Sequence, residues 1–234
     1  MKHPEEQYLD GTYASQNPSW DSEDSEWKAA KVCSLIGAMA EFPESICEVG
    51  CGGGGVLAAI RKSHPEMALN GYDISPSVVS FWENHDDLNV DFHVGDFLKS
   101  DGSYDLILLL DVLEHVSDPH AFLLGIRPRA AMFVFHFPLD ISSLSVLRES
   151  PLLYVRRKVG HIHYFTKGLA LELLSECGFE VVNAQYTGAA FNSPQVSWKT
   201  KLAQVPRHLA YAVNKDFGVR LLGGETLMVL AKPK

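Results

Sequence analysis

The stretch Glu48-Val49-Gly50-Cys51-Gly52-Gly53-Gly54-Gly55 decides how the rest of the chain is read. It follows an apolar run, Ile46 to Val49, that reads as a buried strand, and it precedes Val56 to Ser63, which reads as a helix. Glycines between a buried strand and a helix let the backbone turn sharply and approach a ligand with no Cβ in the way. Gly50-x-Gly52-x-x-Gly55 satisfies the dinucleotide fingerprint, with Asp73 near the distance expected for an acid on a ribose. Glu48 also makes the stretch Glu-x-Gly-x-Gly-x-Gly. A carboxylate at the end of a buried strand is costly unless a cation or a hydrogen-bond donor meets it. The two patterns therefore predict different ligands.

Outward from this turn, short apolar runs alternate with helical stretches, the mark of βα units around a parallel sheet. Strands are predicted at Ile46 to Val49, Ala68 to Tyr72, Val90 to Val94, Asp105 to Leu110, Ala131 to Phe137, Glu180 to Tyr186 and Thr226 to Ala231. Helices are predicted at Trp27 to Ala40, Val56 to Ser63, Pro76 to His85, His120 to Arg127 and Lys167 to Cys177, the last with Thr166 as N-cap and Gly178 as its stop. The chain divides into an N-terminal arm and lead-in helix over 1–44, with the arm as a candidate lid, and a single domain over 45–234. Within that domain, 139–165 and 187–224 exceed ordinary connections and read as functional insertions on the acceptor side.

Three further segments resemble the class I S-adenosylmethionine-dependent methyltransferases: Gly71-Tyr72-Asp73-Ile74-Ser75, Val94-Gly95-Asp96-Phe97, and Tyr104 through Asp111 to Val116. A second signature, His161-Ile162-His163-Tyr164-Phe165-Thr166 with Cys177-Gly178-Phe179, resembles the ubiquinone-type and related small-molecule members. The resemblance implies a Rossmann-like, seven-stranded, mostly parallel α/β sheet with helices on both faces and the last strand antiparallel. It also implies S-adenosylmethionine as cofactor and methyl transfer to O or N of a small molecule. The implied cofactor contacts are Glu48 with Gly50, Cys51, Gly52 and Gly54 for the methionyl part, Asp73 and Ile74 for ribose, Asp96 and Phe97 for adenine, and Asp111 beyond them. A pyrophosphate would be repelled by Glu48, and a nicotinamide oxidoreductase, the first rival, has no need of Asp96. A non-catalytic S-adenosylmethionine-binding scaffold is the second rival, because this chemistry has no obligatory catalytic residue.

In-line displacement at a sulfonium needs alignment, desolvation and, for O or N acceptors, a proton sink. His115, His136 and His163 are the candidate bases, since an imidazole titrates near neutrality. Asp111, Glu114 and His115 gather on one side if the segment is helical, and some quinone O-methyltransferases resembling this chain hold magnesium at matching positions. Here the first acid is Asp, with a shorter reach, and hard cations want several oxygens, so no metal is expected. The basic cluster Arg148, Arg156, Arg157 and Lys158 suggests a phosphate- or carboxylate-bearing acceptor. Tyr154, Tyr164, Phe165, Phe191 and Trp198 are candidates to cover an apolar one, and Trp20 and Trp27 to place the arm over the cofactor.

Composition bounds the rest. With 20 Lys plus Arg against 29 Asp plus Glu, the net charge of −9 has the wrong sign for holding nucleic acid by phosphate neutralisation. No stretch approaches the roughly 18 apolar residues of a membrane span. The first residues do not read as a signal peptide, and four cysteines without a C-x-x-C pair fit a reduced, cytoplasmic setting. Oligomeric state is not legible.

Overall fold

The computed structural model describes residues 6–20, 22–39, 41–192 and 198–234, less the side chains of 86 and 198–203. The arm carries two short helices, α1 (Glu6–Leu9) and α2 (Thr12–Gln16), before α3 (Ser25–Ile36). There follow β1 (Ser45–Val49), α4 (Gly55–Ser63), β2 (Ala68–Asp73), α5 (Val79–Trp82), β3 (Asp91–Val94), β4 (Tyr104–Leu110), α6 (Pro119–Ile126) and β5 (Ala130–Pro138). The first long connection holds α7 (Ser143–Arg148) and α8 (Ser150–Tyr154), the latter running into a π-helical turn, Val155–Val159. The chain ends with α9 (Lys167–Glu176), β6 (Phe179–Tyr186), α10 (Ala189–Asn192), α11 (Trp198–Val213), α12 (Lys215–Leu222) and β7 (Thr226–Pro233).

The strands form one seven-stranded sheet in the order β3-β2-β1-β4-β5-β7-β6. Neighbours are parallel except β7, which runs antiparallel to both β5 and β6, as the resemblance implies. The sheet is covered on both faces, so its central strands are apolar along their length and period two decides which face each residue serves. Ile107 and Leu109 of β4 join Phe133, Phe135 and Phe137 of β5 on one face, under Leu123 and Ile126 of α6 and Leu173 and Leu174 of α9. Leu106, Leu108 and Leu110 join Val134 on the other, under Val32, Leu35 and Ile36 of α3 and Leu57 and Ile60 of α4.

Two predicted helices are corrected. The lead-in helix starts at Ser25 and ends at Ile36, where Gly37 donates its backbone N–H to the Cys33 carbonyl. The predicted helix from Pro76 to His85 is one turn of α-helix, α5, between two 3-10 segments, Pro76–Val78 and Glu83–Leu88. Asn84, Asp86 and Asp87 favour turns over a helix interior, which accounts for the break. Thr166 caps α9 as predicted, accepting from the Leu169 N–H.

Candidate functional site

Strand order reverses between β2-β1 and β1-β4, and open α/β sheets bind ligands at such a switch point, beyond the carboxyl ends of the strands. A cavity of about 980 Å3 lies there. Its floor is the glycine turn. Gly50 has φ +78° and a Cβ built on it would stand 2.7 Å from Cγ2 of Val112, so only glycine fits both the dihedral and the space. The Gly50 and Cys51 N–H groups donate to the Tyr72 carbonyl at 2.7 and 3.0 Å, which clamps the turn to the end of β2.

Asp73 closes β2 with both oxygens in use: Oδ2 accepts from the Gly52 N–H at 2.9 Å and Oδ1 from the Ser75 N–H at 2.8 Å. Burial raises its pKa and these two donors oppose the rise. Glu48 is 3% exposed and its Oε2 has no hydrogen-bond partner among the described residues. Burial pushes this carboxyl up to about 8, with Lys28 opposing and Asp73 adding to the rise. Asp96, at the end of β3, caps the short turn Phe97–Lys99 through the Leu98 N–H at 3.0 Å. Cys51, Ile74, Asp96 and Phe97 all line the cavity, the Phe97 ring edge-on to Tyr72 at 5.1 Å. Gly54 does not line it. Its φ of +78° serves the turn into α4, and it packs under Phe92.

At the far end of the cavity, beyond β4 and β5, acids and histidines meet. Asp111 has φ +56° and is held on two sides, by Lys28 Nζ at 2.8 Å and by His136 Nδ1 at 2.7 Å. Burial works against its charge, but His136 and Lys28 outweigh that and keep the carboxyl well below the usual carboxylate range. An ionised carboxylate only accepts, so His136 Nδ1 is the donor, and Nε2 meets Thr226 Oγ1 at 2.7 Å. Glu114 is fully buried, and among the described residues neither of its oxygens is bonded to another residue. Burial, then the nearby Asp111, raise its pKa. His115 Nδ1 meets the Gly160 carbonyl at 3.2 Å and His161 Nδ1 meets Asp140 at 2.7 Å, with the two rings 5.0 Å apart. Burial, then His161, lower His115 to about 4, so it is neutral near pH 7.

The arm forms the outer wall. Ser75 Oγ donates to the Tyr8 carbonyl at 2.7 Å, the Tyr8 and Tyr13 rings stand edge-on to His115 at 5.9 and 6.4 Å, and Trp20 lies over Gly52. Trp27 lines the cavity beside His136, ring centroids 6.3 Å apart.

Of the three candidate bases, His115 and His136 line the cavity and His163 does not; its Nε2 meets the Val116 carbonyl at 2.9 Å. His161, two residues earlier in a loop, lies on the wall instead. The basic cluster, Arg148, Arg156, Arg157 and Lys158, is exposed and off the cavity wall. Tyr154 is exposed, Phe165 packs in the core against Phe137, and Phe191 stacks on His208 at 4.0 Å, so none covers this cavity. Tyr164 is likewise off the wall, and the side chain of Trp198 lies outside the described residues. Asp111 is turned to Lys28 and His136 rather than to Glu114 and His115. The lysine and Thr226 came from segments whose only sequence signal was proximity to a predicted strand or helix end.

A family model described as a methyltransferase domain matches residues 23–184. Ajmaline N-methyltransferase of Rauvolfia serpentina is 32% identical over 142 residues, covering 52% of this chain and 48% of that protein. Ubiquinone biosynthesis O-methyltransferase of Coxiella burnetii is 31% identical over 98 residues, 38% of this chain and 41% of that one. The chain thus spans about a third to a half of the length of the curated relatives it matches. Among solved structures, the plantazolicin methyltransferase BpumL in complex with a monoazolic desmethylPZN analog and SAH superposes with a TM-score of 0.65 at 16% identity, covering 99% of this chain and 93% of that one. The magnesium protoporphyrin IX methyltransferase of Synechocystis with bound SAH gives 0.60 at 16% identity, with 89% and 83% covered. These superpositions establish the shared fold.

Proposed function

The chain belongs to the methyltransferase-domain family, and from that premise we propose that it is an S-adenosylmethionine-dependent methyltransferase acting on O or N of a small-molecule acceptor. The observation that carries this reading is the orphaned Oε2 of Glu48, buried against the glycine turn. An unpaired buried carboxylate calls for a cation or a donor, and the ammonium of the methionyl part is both. A pyrophosphate would find no cation in this side chain, which weighs against a nicotinamide nucleotide. Asp73 retains lone pairs for ribose hydroxyls beyond the two N–H bonds it already accepts, and Asp96 stands at the next strand end, where the adenine amine would need an acceptor.

The cofactor, when bound, supplies an electrophilic methyl on a sulfonium. The chain's own residues do the rest. The Gly50 to Gly52 backbone holds the methionyl end without side-chain bulk, and Tyr8, Tyr13 and Trp20 of the arm exclude water from the centre of the cavity. Glu114, His115 and the Asp111–His136 pair lie on the far wall, where an acceptor would lose its proton. The proposed cofactor contacts remain Glu48, Gly50, Cys51, Gly52, Asp73, Ile74, Asp96 and Phe97, and Asp111 is reassigned to holding His136 and Lys28.

A thermal-shift experiment tests the reading. S-adenosylhomocysteine at 100 times its dissociation constant should stabilise the chain by about 2.7 kcal/mol, a rise of roughly 5 to 11 °C at this chain length. A shift with NADH and none with S-adenosylhomocysteine would overturn it.

A further inference from the structure

The far end of the cavity holds a cluster of side chains whose acceptor atoms meet at one point. Glu114 contributes two oxygens bonded to no other residue among the described residues. The carbonyl of Gly160 can only accept, so His115 Nδ1 carries the proton and the neutral ring presents an Nε2 lone pair. His161 Nδ1 is likewise engaged by Asp140, leaving its Nε2. One ligand atom from each of Glu114, His115 and His161 lies within 4.8 Å of the others. The Glu114 oxygens and the His115 lone pair, with His161 Nε2 beside them, suit a group that brings several donors to one point. An alcohol or phenol brings a single O–H. A carboxylate or phosphate brings none, and the cavity-lining lysines among the described residues are committed, Lys28 to Asp111 at 2.8 Å and Lys99 to Asp96 at 3.7 Å.

We infer that this cluster receives the amino group of an amine acceptor, held by Glu114, His115 and His161. The inference rests on the methyltransferase reading and narrows it from O or N to N. A protonated amine offers three N–H donors, and acceptors placed tetrahedrally at about 2.9 Å from its nitrogen stand about 4.7 Å apart, a spread that the cluster accommodates. Tyr8 and Tyr13 stand edge-on to His115 and wall the cluster off with aromatic surface. The Tyr8 hydroxyl, buried and without a partner among the described residues, is a further polar atom near Glu114.

The cluster also supplies the proton step. One ammonium proton passes to the Glu114 carboxylate and frees the nitrogen lone pair. The N–C bond then forms as the C–S bond breaks, its electron pair remaining on sulfur, and the product leaves as the N-methylammonium.

The test uses the full chain loaded with S-adenosylhomocysteine and matched probes: benzylamine, benzyl alcohol and benzoate, then tryptamine, tryptophol and indole-3-acetate. Calorimetry should show each amine binding at least tenfold tighter than its alcohol and carboxylate partners, and with S-adenosylmethionine the amines should be N-methylated. Glu114→Gln should weaken amine binding at least tenfold while leaving S-adenosylhomocysteine affinity within about twofold. If that variant fails to fold, His161→Gln carries the same comparison. Preference for the alcohols or carboxylates, binding of no probe, or unchanged amine affinity in the variant that folds would each overturn the inference. So would a stoichiometric divalent metal in the purified protein with turnover lost to EDTA, which would make the cluster a metal site. Failure of S-adenosylhomocysteine itself to bind would instead strike the underlying methyltransferase reading.

Discussion

Replacing Glu48 by Gln keeps the shape of the side chain and removes its titration. In the folded chain burial raises this carboxyl from the ordinary 4.5 to about 8. Between those two pH values the folded state keeps a proton that the unfolded chain has released, so stability falls as pH rises. The contribution is fully present below about 4.5 and is lost as pH climbs through about 8. At 1.36 kcal/mol per pH unit the full swing is about 5 kcal/mol, or roughly 10 to 20 °C of melting temperature at this chain length. Asp73 and Glu114 are raised in the same direction, so the wild-type slope contains their shares too. The quantity to measure is therefore the difference in slope, from melting temperatures of the ligand-free protein at pH 5 to 8.5. Glu48→Gln should be the flatter of the two. Saturating S-adenosylhomocysteine should flatten the wild type as well, because its ammonium would hold Glu48 charged, and the ligand's affinity should rise at least tenfold from pH 6 to 8 in wild type but not in the variant. Parallel slopes in the two ligand-free proteins would refute the placement of a buried, unpaired carboxyl at the glycine turn.

Asp73→Ala should weaken S-adenosylhomocysteine more than tenfold by calorimetry; unchanged affinity would contradict the ribose contact. Gly50→Ala adds a Cβ 2.7 Å from Val112 Cγ2 at φ +78°, so it should lower the melting temperature and remove ligand binding, both read in one thermal-shift plate. Phe135→Ala empties a fully buried site in the aromatic row of β5 and should cost about 3 to 5 kcal/mol in urea unfolding. His163→Asn should leave turnover and its pH profile unchanged, since His163 is turned to the Val116 carbonyl and away from the cavity.

Much of the fold was legible because period-two burial and the strand-to-helix glycine turn are local signals. All seven strands were found to within about a residue or two at each end, and Thr166 was recognised as a cap because its side chain serves an N–H only three residues on. Glu48, Asp73 and Asp96 were legible for the same reason: each sits at a strand end that the sequence itself announces. The far wall was not. His161 and His163 are two residues apart with the same chemistry, and only the packing of 161–163 against Glu114 decides that the first faces the cavity. Charge alone likewise does not place a residue on the cavity, since the basic cluster from Arg148 to Lys158 stands out in an acidic chain and is exposed off the cavity wall.

By itself, then, the sequence determined the sheet, its apolar faces, and the row of acids and glycines at the strand ends, because each depends on residues close together in the chain. Tertiary structure alone decided what those ends confront. Lys28 from α3 reaches Asp111 after β4, Thr226 at the start of β7 reaches His136 in β5, and Tyr8 of the arm reaches the space between Asp73 and Glu114. Such pairings join residues from about 65 to more than 100 positions apart, so no local pattern records them, and among the described residues none of them brings a side-chain partner to the buried Glu114 carboxyl.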